Sequence, residues 1–502
     1  MSVERSRGAL LGYANIVINS GINLLYTPVL IRMLGQSDYG VFQMTNSVIQ
    51  ALTILSMGFD SAYVKFYSDY VAHQRKDRVR QLNGMYLIIF LCIALLATLC
   101  GLVLLRNVDF LFSRGLTNHE RTLSKKLIVI MIYSVAISFP GTVFDSYITV
   151  HERFIFQQSR QILTNIAVPF LALLALYTGM GAIGVALAKA FMSTILLGMN
   201  IRYAVGKLDM RFSFSKFGFS IFKSLAVFSF WIFLHQLFDA VNNYAPNFLL
   251  GALGNSTQVA IFAVAQQIRN LFAPLSLALS SVFVPKINKM VAEGSDNEEL
   301  TRLMARVGRY QLIVFCFLYC GFVVVGRFFI RLWAGSEFDD AYLMILIMVL
   351  PLIFDLTQTT GLAIQRAKNK QKARSLIYIA AALVDIAISV IFIPKYGCWA
   401  TVVGYVVSLL LSTGLFMNWY YNSRLGLNMR FFWRKMVPVL LVSAGVLSVS
   451  MFVTAVIPVN SVLTFLFDGF VYVSLFVTAA WFCIATKSER SKIKGRLLRK
   501  NK

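Results

Sequence analysis

The side chains able to do chemistry in this chain are few, and they stand inside apolar runs. Arg269 follows Gln266 and Gln267 and precedes Asn270; His235 and Asp239 stand four residues apart in the run before it; Asp355, Asp385 and Lys189 each occupy another run. A charged side chain in hydrocarbon costs at least about 2.5–3.5 kcal/mol on insertion scales, so those that persist have a partner or a task. A mid-helix guanidinium needs an anion or a carboxylate, which leaves two readings of Arg269: a structural pair with Asp239, or a grip on phosphate through its planar fork. Asp239 with His235 reads as an ion-coupling site for a proton or sodium, since imidazole titrates near neutrality. Asp355 and Asp385 near midplane are further ion-coupling candidates, and they can also pair with each other or with water.

Neutral amides form stripes beside these charges. Asn15, Asn19 and Asn23 recur every four residues, which puts them on one helix face, and Gln43, Asn46, Ser47 and Gln50 form a second stripe. His235, Asp239, Asn242 and Pro246 form a third, and Gln266, Gln267, Arg269 and Asn270 a fourth. Four such stripes can line a hydrated cavity that binds a polar substrate, or they can hold helices together by interhelical hydrogen bonds. Asp60 and Asp145 stand near helix ends, where a charge is cheaper, and read as structural.

Only helices in a membrane can carry residues this way. Of 502 residues, 58% are hydrophobic and 14% charged, against about 45–50% and about 25% in soluble domains. The net charge of +25 would suggest nucleic acid in a soluble protein. Here the basic residues crowd short loops, so they report membrane topology and no nucleic-acid partner is expected. Apolar runs of about 20 residues cross the hydrocarbon. They place about fourteen helices, at 9–33, 41–63, 82–105, 127–149, 162–178, 183–203, 224–250, 258–285, 308–330, 341–364, 375–394, 399–421, 437–457 and 463–486. With a cytoplasmic N-terminus, 36 of the 47 Lys and Arg fall inside and 9 outside, which puts both termini in the cytoplasm. The discordant outer loop, 106–126, holds Arg106, Arg114, Arg121, Lys125 and Lys126.

Arg5 and Arg7 precede an apolar stretch with no small-residue cleavage site, which reads as a retained first helix. Six cysteines form no framework; Cys316 and Cys320 share a helix face with no His or carboxylate beside them, so they read as packing residues and not as a metal site. Neither G-x-x-x-x-G-K-[ST] nor H-E-x-x-H occurs, so no cofactor is expected and transport would draw on an ion or substrate gradient or on the membrane potential.

The chain also repeats itself. The spacing of Gly184, Ala188 and Met192 recurs as Ala400, Gly404 and Ser408 at an offset of 216. Leu34-Gly35-Gln36-Ser37 followed by Phe42 is echoed by Leu253-Gly254-Asn255-Ser256 followed by Phe262. On this alignment Asn46 meets Gln266 and Gln50 meets Asn270. The expected fold is all-α and polytopic, with residues 1–216 and 217–432 as two six-helix bundles in a pseudo-twofold arrangement. Residues 433–502 add two helices and a basic cytoplasmic tail. An even helix count per half predicts an axis along the membrane normal and a substrate site between the halves near midplane.

Ile31-Arg32-Met33-Leu34-Gly35, Asp38-Tyr39-Gly40 and Gly58-Phe59-Asp60 resemble the start of the polysaccharide and oligosaccharide-lipid flippases, including those of O-antigen. These belong to the multidrug/oligosaccharidyl-lipid/polysaccharide exporter superfamily. Leu253-Gly254 through Pro285, and Ile393-Pro394-Lys395-Tyr396-Gly397 followed by Ala400, extend the resemblance over most of residues 1–425. The resemblance implies a V-shaped pair of six-helix bundles working by alternating access in the bacterial inner membrane. It implies a polyprenyl-pyrophosphate-linked glycan as cargo for an O-antigen, capsule or exopolysaccharide route, moved without enzymatic chemistry. Glycosyltransferases and a polysaccharide polymerase are the implied partners. It further implies a cationic cavity for the head group, for which this chain offers Arg269 with Lys189 and Arg32. Two rivals remain open. A multidrug efflux antiporter of the same superfamily would use acidic residues, here Asp239, Asp355 and Asp385. A membrane-embedded polysaccharide polymerase would want a long outer loop, and the longest here has about 20 residues.

Overall fold

The computed structural model describes residues 3–56, 58–214, 219–272, 274, 280, 283–368, 370, 372–486 and 489–491, and every regular element among them is helical. The first helix, α1 (Val3–Ala51), joins the first two expected spans in one element bent at Gly35. Gly35 has φ 77°, a backbone state that favours a residue without a Cβ, so the chain turns there without leaving the helix. A short 3-10 turn (Leu52–Ser56) leads to α2 (Phe59–Ala72), α3 (Lys76–Arg106), α4 (Asn118–Val150), α5 (Phe154–Tyr177) and α6 (Gly181–Gly206). Then come α7 (Phe219–Leu253), α8 (Ser256–Asn270), α9 (Val284–Ala292) and α10 (Asn297–Trp333).

The expected span 341–364 is interrupted. It is built of α11 (Asp339–Val349), α12 (Leu352–Thr357) and α13 (Thr359–Ala367). Pro351 has no N–H to continue the ladder of α11. The second break falls at Gln358 (φ −100°, ψ 10°) within a threonine-rich run, where Thr357 Oγ1 turns back to the Ile353 carbonyl at 2.6 Å. Hydroxyls that bond their own backbone compete with the helical ladder. After α14 (Lys372–Tyr396) comes α15 (Cys398–Leu409), a π-helical turn (Leu410–Phe416) and α16 (Met417–Ser423). The chain ends in α17 (Met429–Val456) and α18 (Val462–Ala479), whose N-termini are capped by the side chains of Asn428 and Ser461.

Among the described residues, ten helices are long and apolar enough to cross a membrane, the first of them (Ala14–Ser56) covering two expected spans. Their outer faces carry bare aliphatic and aromatic groups: Leu95 is 62% exposed, Leu441 67% and Phe470 72%. In water such a surface would be unstable, whereas helices that satisfy their own backbone can present it to lipid. The protein is a polytopic all-α membrane protein.

Two compact units divide the chain. The first holds Met1–Ala263 with Ser389–Ala400, and the second Val264–Ile388 with Thr401–Lys502. In the first, α4 packs on α3 and α6, and α1 on α5 and α7. In the second, α10 packs on α17 and α18, where the Tyr472 hydroxyl donates to the Phe317 carbonyl at 2.6 Å and Gly321 leaves room for the Tyr472 ring.

Candidate functional site

The interior of the first unit is rich in amides, with Lys189, the Asp145–Arg160 pair and the buried carboxylate of Glu120 among them. Asn15 is buried and held twice by α5: its Nδ2 donates to Gln158 Oε1 at 3.1 Å and its Oδ1 accepts from Asn165 Nδ2 at 2.7 Å. Asn19 and Asn23, further along the same stripe, are exposed, and Asn23 donates to Asn19 at 2.9 Å. Amides exposed in a spanning helix are better placed against water than lipid. On α6, Lys189 Nζ donates to Asn46 Oδ1 at 3.2 Å and lies 4.9 Å from the centre of the Phe42 ring. Gln50 is half-buried one turn beyond Asn46, and its carbonyl accepts from Thr53 Oγ1 at 2.6 Å. Asp145 pairs with Arg160 at 2.7 Å, in line with a structural role. His235 and Asp239 fall on α7, and their side chains lie outside the described residues, as does that of Asp60.

The second unit has an interior of charges. Arg269, in the last turn of α8, is 5% exposed. Its Nε and Nη2 donate to Asn270 Oδ1 at 3.2 and 2.9 Å, and its Cζ lies 4.5 Å from the centre of the Tyr405 ring. A desolvated guanidinium over an aromatic face gains about 2 kcal/mol. Gln266 is buried one turn earlier, and Asn270 is exposed. Tyr405 is in electrostatic contact with Asp355 and with Asp385, which is 3% exposed. The Tyr378 hydroxyl donates to Asp355 Oδ1 at 3.5 Å, and the Arg374 guanidinium stacks on the Tyr378 ring at 4.5 Å. Arg269 on Tyr405 and Arg374 on Tyr378 thus make two cation–ring pairs, with Asp355 and Asp385 within electrostatic range of Tyr405.

The Arg374–Tyr378 pair opens on a cavity of about 120 Å³. Asp355, Gln358, Thr359, Arg374, Tyr378 and Tyr421 are among its lining residues. Both irregular backbones reach this cavity: the break at Gln358, and the π-helical turn through Thr413. Irregular backbone at membrane depth is tolerated where it is buried in protein or lines a wet space, and single π-turns recur at functional sites. Arg374 Nε is buried with no hydrogen-bond partner among the described residues. Such groups can hold an anionic group against guanidinium donors and can load a proton or alkali ion on their carboxylates.

Sequence reasoning missed Arg374, because a charge immediately before the expected span at 375–394 reads as one more cytoplasmic loop charge. The i, i+4 spacing of Arg374 and Tyr378 was the available signal, since it stacks a cation on a ring along one helix face. It also missed Glu120, although Thr117-x-x-Glu120 spells a capping box, which is formed at the start of α4. Outside the spans, two carboxylates are tuned by neighbours. Arg331 and Arg327 hold the Asp339 carboxyl well below the usual range through bonds of 2.7–3.3 Å. Burial pushes Glu489 up, but Tyr310, Thr486 and Arg309 donate to it and bring it down to about 2.

Helices with lipid-facing outer surfaces and, within the second unit, charges around a cavity are the build of a membrane transporter. Residues 7–291, more than half of the chain, match the family described as "Polysaccharide biosynthesis protein", and the chain belongs to that family. It is similar to the uncharacterized membrane protein EpsK of Bacillus subtilis (strain 168), at 21% identity over 483 residues and 94% of each chain. Among solved structures, its fold is that of the lipid II flippase MurJ in an inward closed conformation, with a TM-score of 0.74 at 15% identity over 94% of this chain and 97% of that one. An inward-facing multidrug resistance MATE family transporter of the MOP superfamily matches with a TM-score of 0.62 at 15% identity, over 81% of this chain and 96% of that one.

Proposed function

We propose that this protein is a flippase of the bacterial inner membrane. It moves a polyprenyl-pyrophosphate-linked oligosaccharide from the cytoplasmic to the outer leaflet by alternating access of two six-helix halves, residues 1–216 and 217–432, with both termini in the cytoplasm. The observation that carries the reading is Arg269, a buried guanidinium stacked on Tyr405 in a member of a polysaccharide-biosynthesis family. A guanidinium about 4 Å from one phosphate charge gains roughly 4 kcal/mol at an effective dielectric near 20, before desolvation is subtracted. Gln266 and Asn270 beside it suit sugar hydroxyls, as do the exposed Asn19 and Asn23. Asp355 and Asp385, with Asp239 and His235, are the groups to load the coupling proton or sodium. Glycosyltransferases supply the lipid-linked glycan, and a polymerase takes it on the outer side.

The test is translocation of a lipid-linked oligosaccharide in proteoliposomes. Arg269→Ala should abolish it, and Arg269→Lys, which keeps the charge and loses the fork, should fall between. Recovery of transport in Arg269→Ala/Asp239→Ala would mean that the arginine serves a structural pair. Export of cationic dyes without glycan translocation would move the protein to the multidrug class, for which the acidic residues would then be the cation site.

A further inference from the structure

Three turns of the first unit meet at one buried carboxylate. Glu120, 7% exposed in the first turn of α4, accepts at Oε1 from Ser37 Oγ (2.5 Å) and from Ser256 Oγ, and at Oε2 from the Thr117 N–H (2.8 Å) and Thr117 Oγ1 (2.9 Å). Ser37 and Ser256 are the equivalent serines of the internal repeat, 219 residues apart, and each stands at the start of a helical segment, after the Gly35 bend and at the first residue of α8. The two copies of one motif therefore converge on the same carboxylate oxygen, and their hydroxyls lie 3.5 Å apart.

The surrounding backbone is packed with no room for side chains. A Cβ at Gly40 would collide with the Ser256 carbonyl, one at Gly115 with the Gly251 carbonyl, and one at Gly251 with the Met44 thioether. A cluster held by hydroxyl donors around one carboxylate, with backbone against backbone, can close tightly and can also come apart. Parting exposes hydroxyls and a carboxylate that water can satisfy, which offsets part of the cost of separating the buried apolar groups beside them, Met44 and Phe112 among these.

We infer that Glu120, Ser37 and Ser256 form a latch that closes one end of the translocation path, and that it must part in each transport cycle. This rests on the proposed flippase reading, which puts the turns at 34–40, 113–118 and 251–256 on the outer side. The carboxylate is the keystone: without it the two serines and the Thr117 N–H lose their common acceptor. The glycines set the closed distance.

The experiment reads closure without needing substrate. Ser47 is 4% exposed and lies ten residues past Ser37 on α1, about 15 Å along the helix. A Ser47→Cys chain with the native cysteines replaced is treated with a membrane-impermeant maleimide, in intact cells and in inside-out vesicles. Glu120→Ala should raise labelling from the outside about tenfold, the effect of removing a hydrogen bond to a charged acceptor, and Gly40→Ala, as a steric wedge against the Ser256 carbonyl, should raise it in the same direction. Labelling that rises only in inside-out vesicles would keep the latch and overturn the orientation of the flippase reading. Labelling unchanged from both sides in both variants would overturn the latch. Should either variant fail to accumulate, Ser37→Cys/Ser256→Cys with Glu120 intact decides. Oxidation to the disulfide, confirmed by mass, should stop glycan translocation and reduction restore it; full translocation by the cross-linked protein would overturn the proposal.

Discussion

The two units solve the problem of polar groups in a membrane differently. In the first, amides satisfy amides: Asn15 with Gln158 and Asn165, Asn23 with Asn19, and Lys189 resting on Asn46 and the Phe42 ring. In the second, charges stand beside tyrosines, and Arg374 Nε, beside a cavity, has no hydrogen-bond partner among the described residues. The same contrast appears in one pair of carboxylates. The repeat offset of 219 that carries Ser37 to Ser256 carries Glu120 to Asp339. Glu120 gathers hydroxyls from three turns, whereas Asp339 is gripped by Arg327 and Arg331. The hydroxyl cluster is buried, whereas the Asp339 clamp is formed by arginines that stand largely in solvent. The difference teaches that carboxylates at the same sequence offset can take unlike partners, hydroxyls in one unit and guanidinium groups in the other.

The comparison can be broken at its strongest point, the charges of the second unit. Arg374→Ala should destabilise the protein by about 3 kcal/mol, because it strands Asp355 without its nearby cation. Adding Asp355→Asn should recover most of that loss. Thermal melting in detergent is the measurement, and a single mutant as stable as the parent would show that Arg374 and Asp355 are not coupled. A smaller effect is expected in the amide interior. Asn15→Ala removes two interhelical bonds and should cost about 1 kcal/mol while translocation continues. Loss of translocation with unchanged stability would make Asn15 a substrate contact instead of helix glue.

The smallest effect is a pH dependence at the end of the chain. Glu489 is lowered in the folded protein from an ordinary 4.5 to about 2, so its stabilising contribution is fully present above about 4.5 and is lost as the pH falls toward 2. The stability difference between the parent and Glu489→Gln should therefore be flat near neutrality and shrink on acidification below about 4.5. A difference that grew on acidification would have the sign wrong and would detach Glu489 from Arg309 and Tyr310.

Most helices were legible in the sequence because a run of about 20 apolar residues has few other fates. Their interruptions were less so. The bend at Gly35 depends on one positive φ, and the break at Gln358 on hydroxyls competing with the backbone, neither of which alters hydropathy. Arg269 stood out because its run is apolar on both sides. Arg374 did not, because a charge at the edge of a span looks like topology until its ring partner is seen across one turn. The latch at Glu120 was half legible: the capping box and both serine motifs can be read locally, but only the fold brings residues 37, 120 and 256 together.

The central claim is that the charged interior of the second unit, and not the amide interior of the first, grips the anionic head group. It is tested most directly by binding of polyprenyl pyrophosphate to the purified protein in native mass spectrometry, with Lys189→Ala beside Arg269→Ala. Arg269→Ala should weaken binding by about ten- to a hundredfold, the equivalent of about 1.5–3 kcal/mol for charge-assisted hydrogen bonds, and Lys189→Ala by only a few fold. Unchanged binding in Arg269→Ala, or a larger loss in Lys189→Ala, would contradict the account.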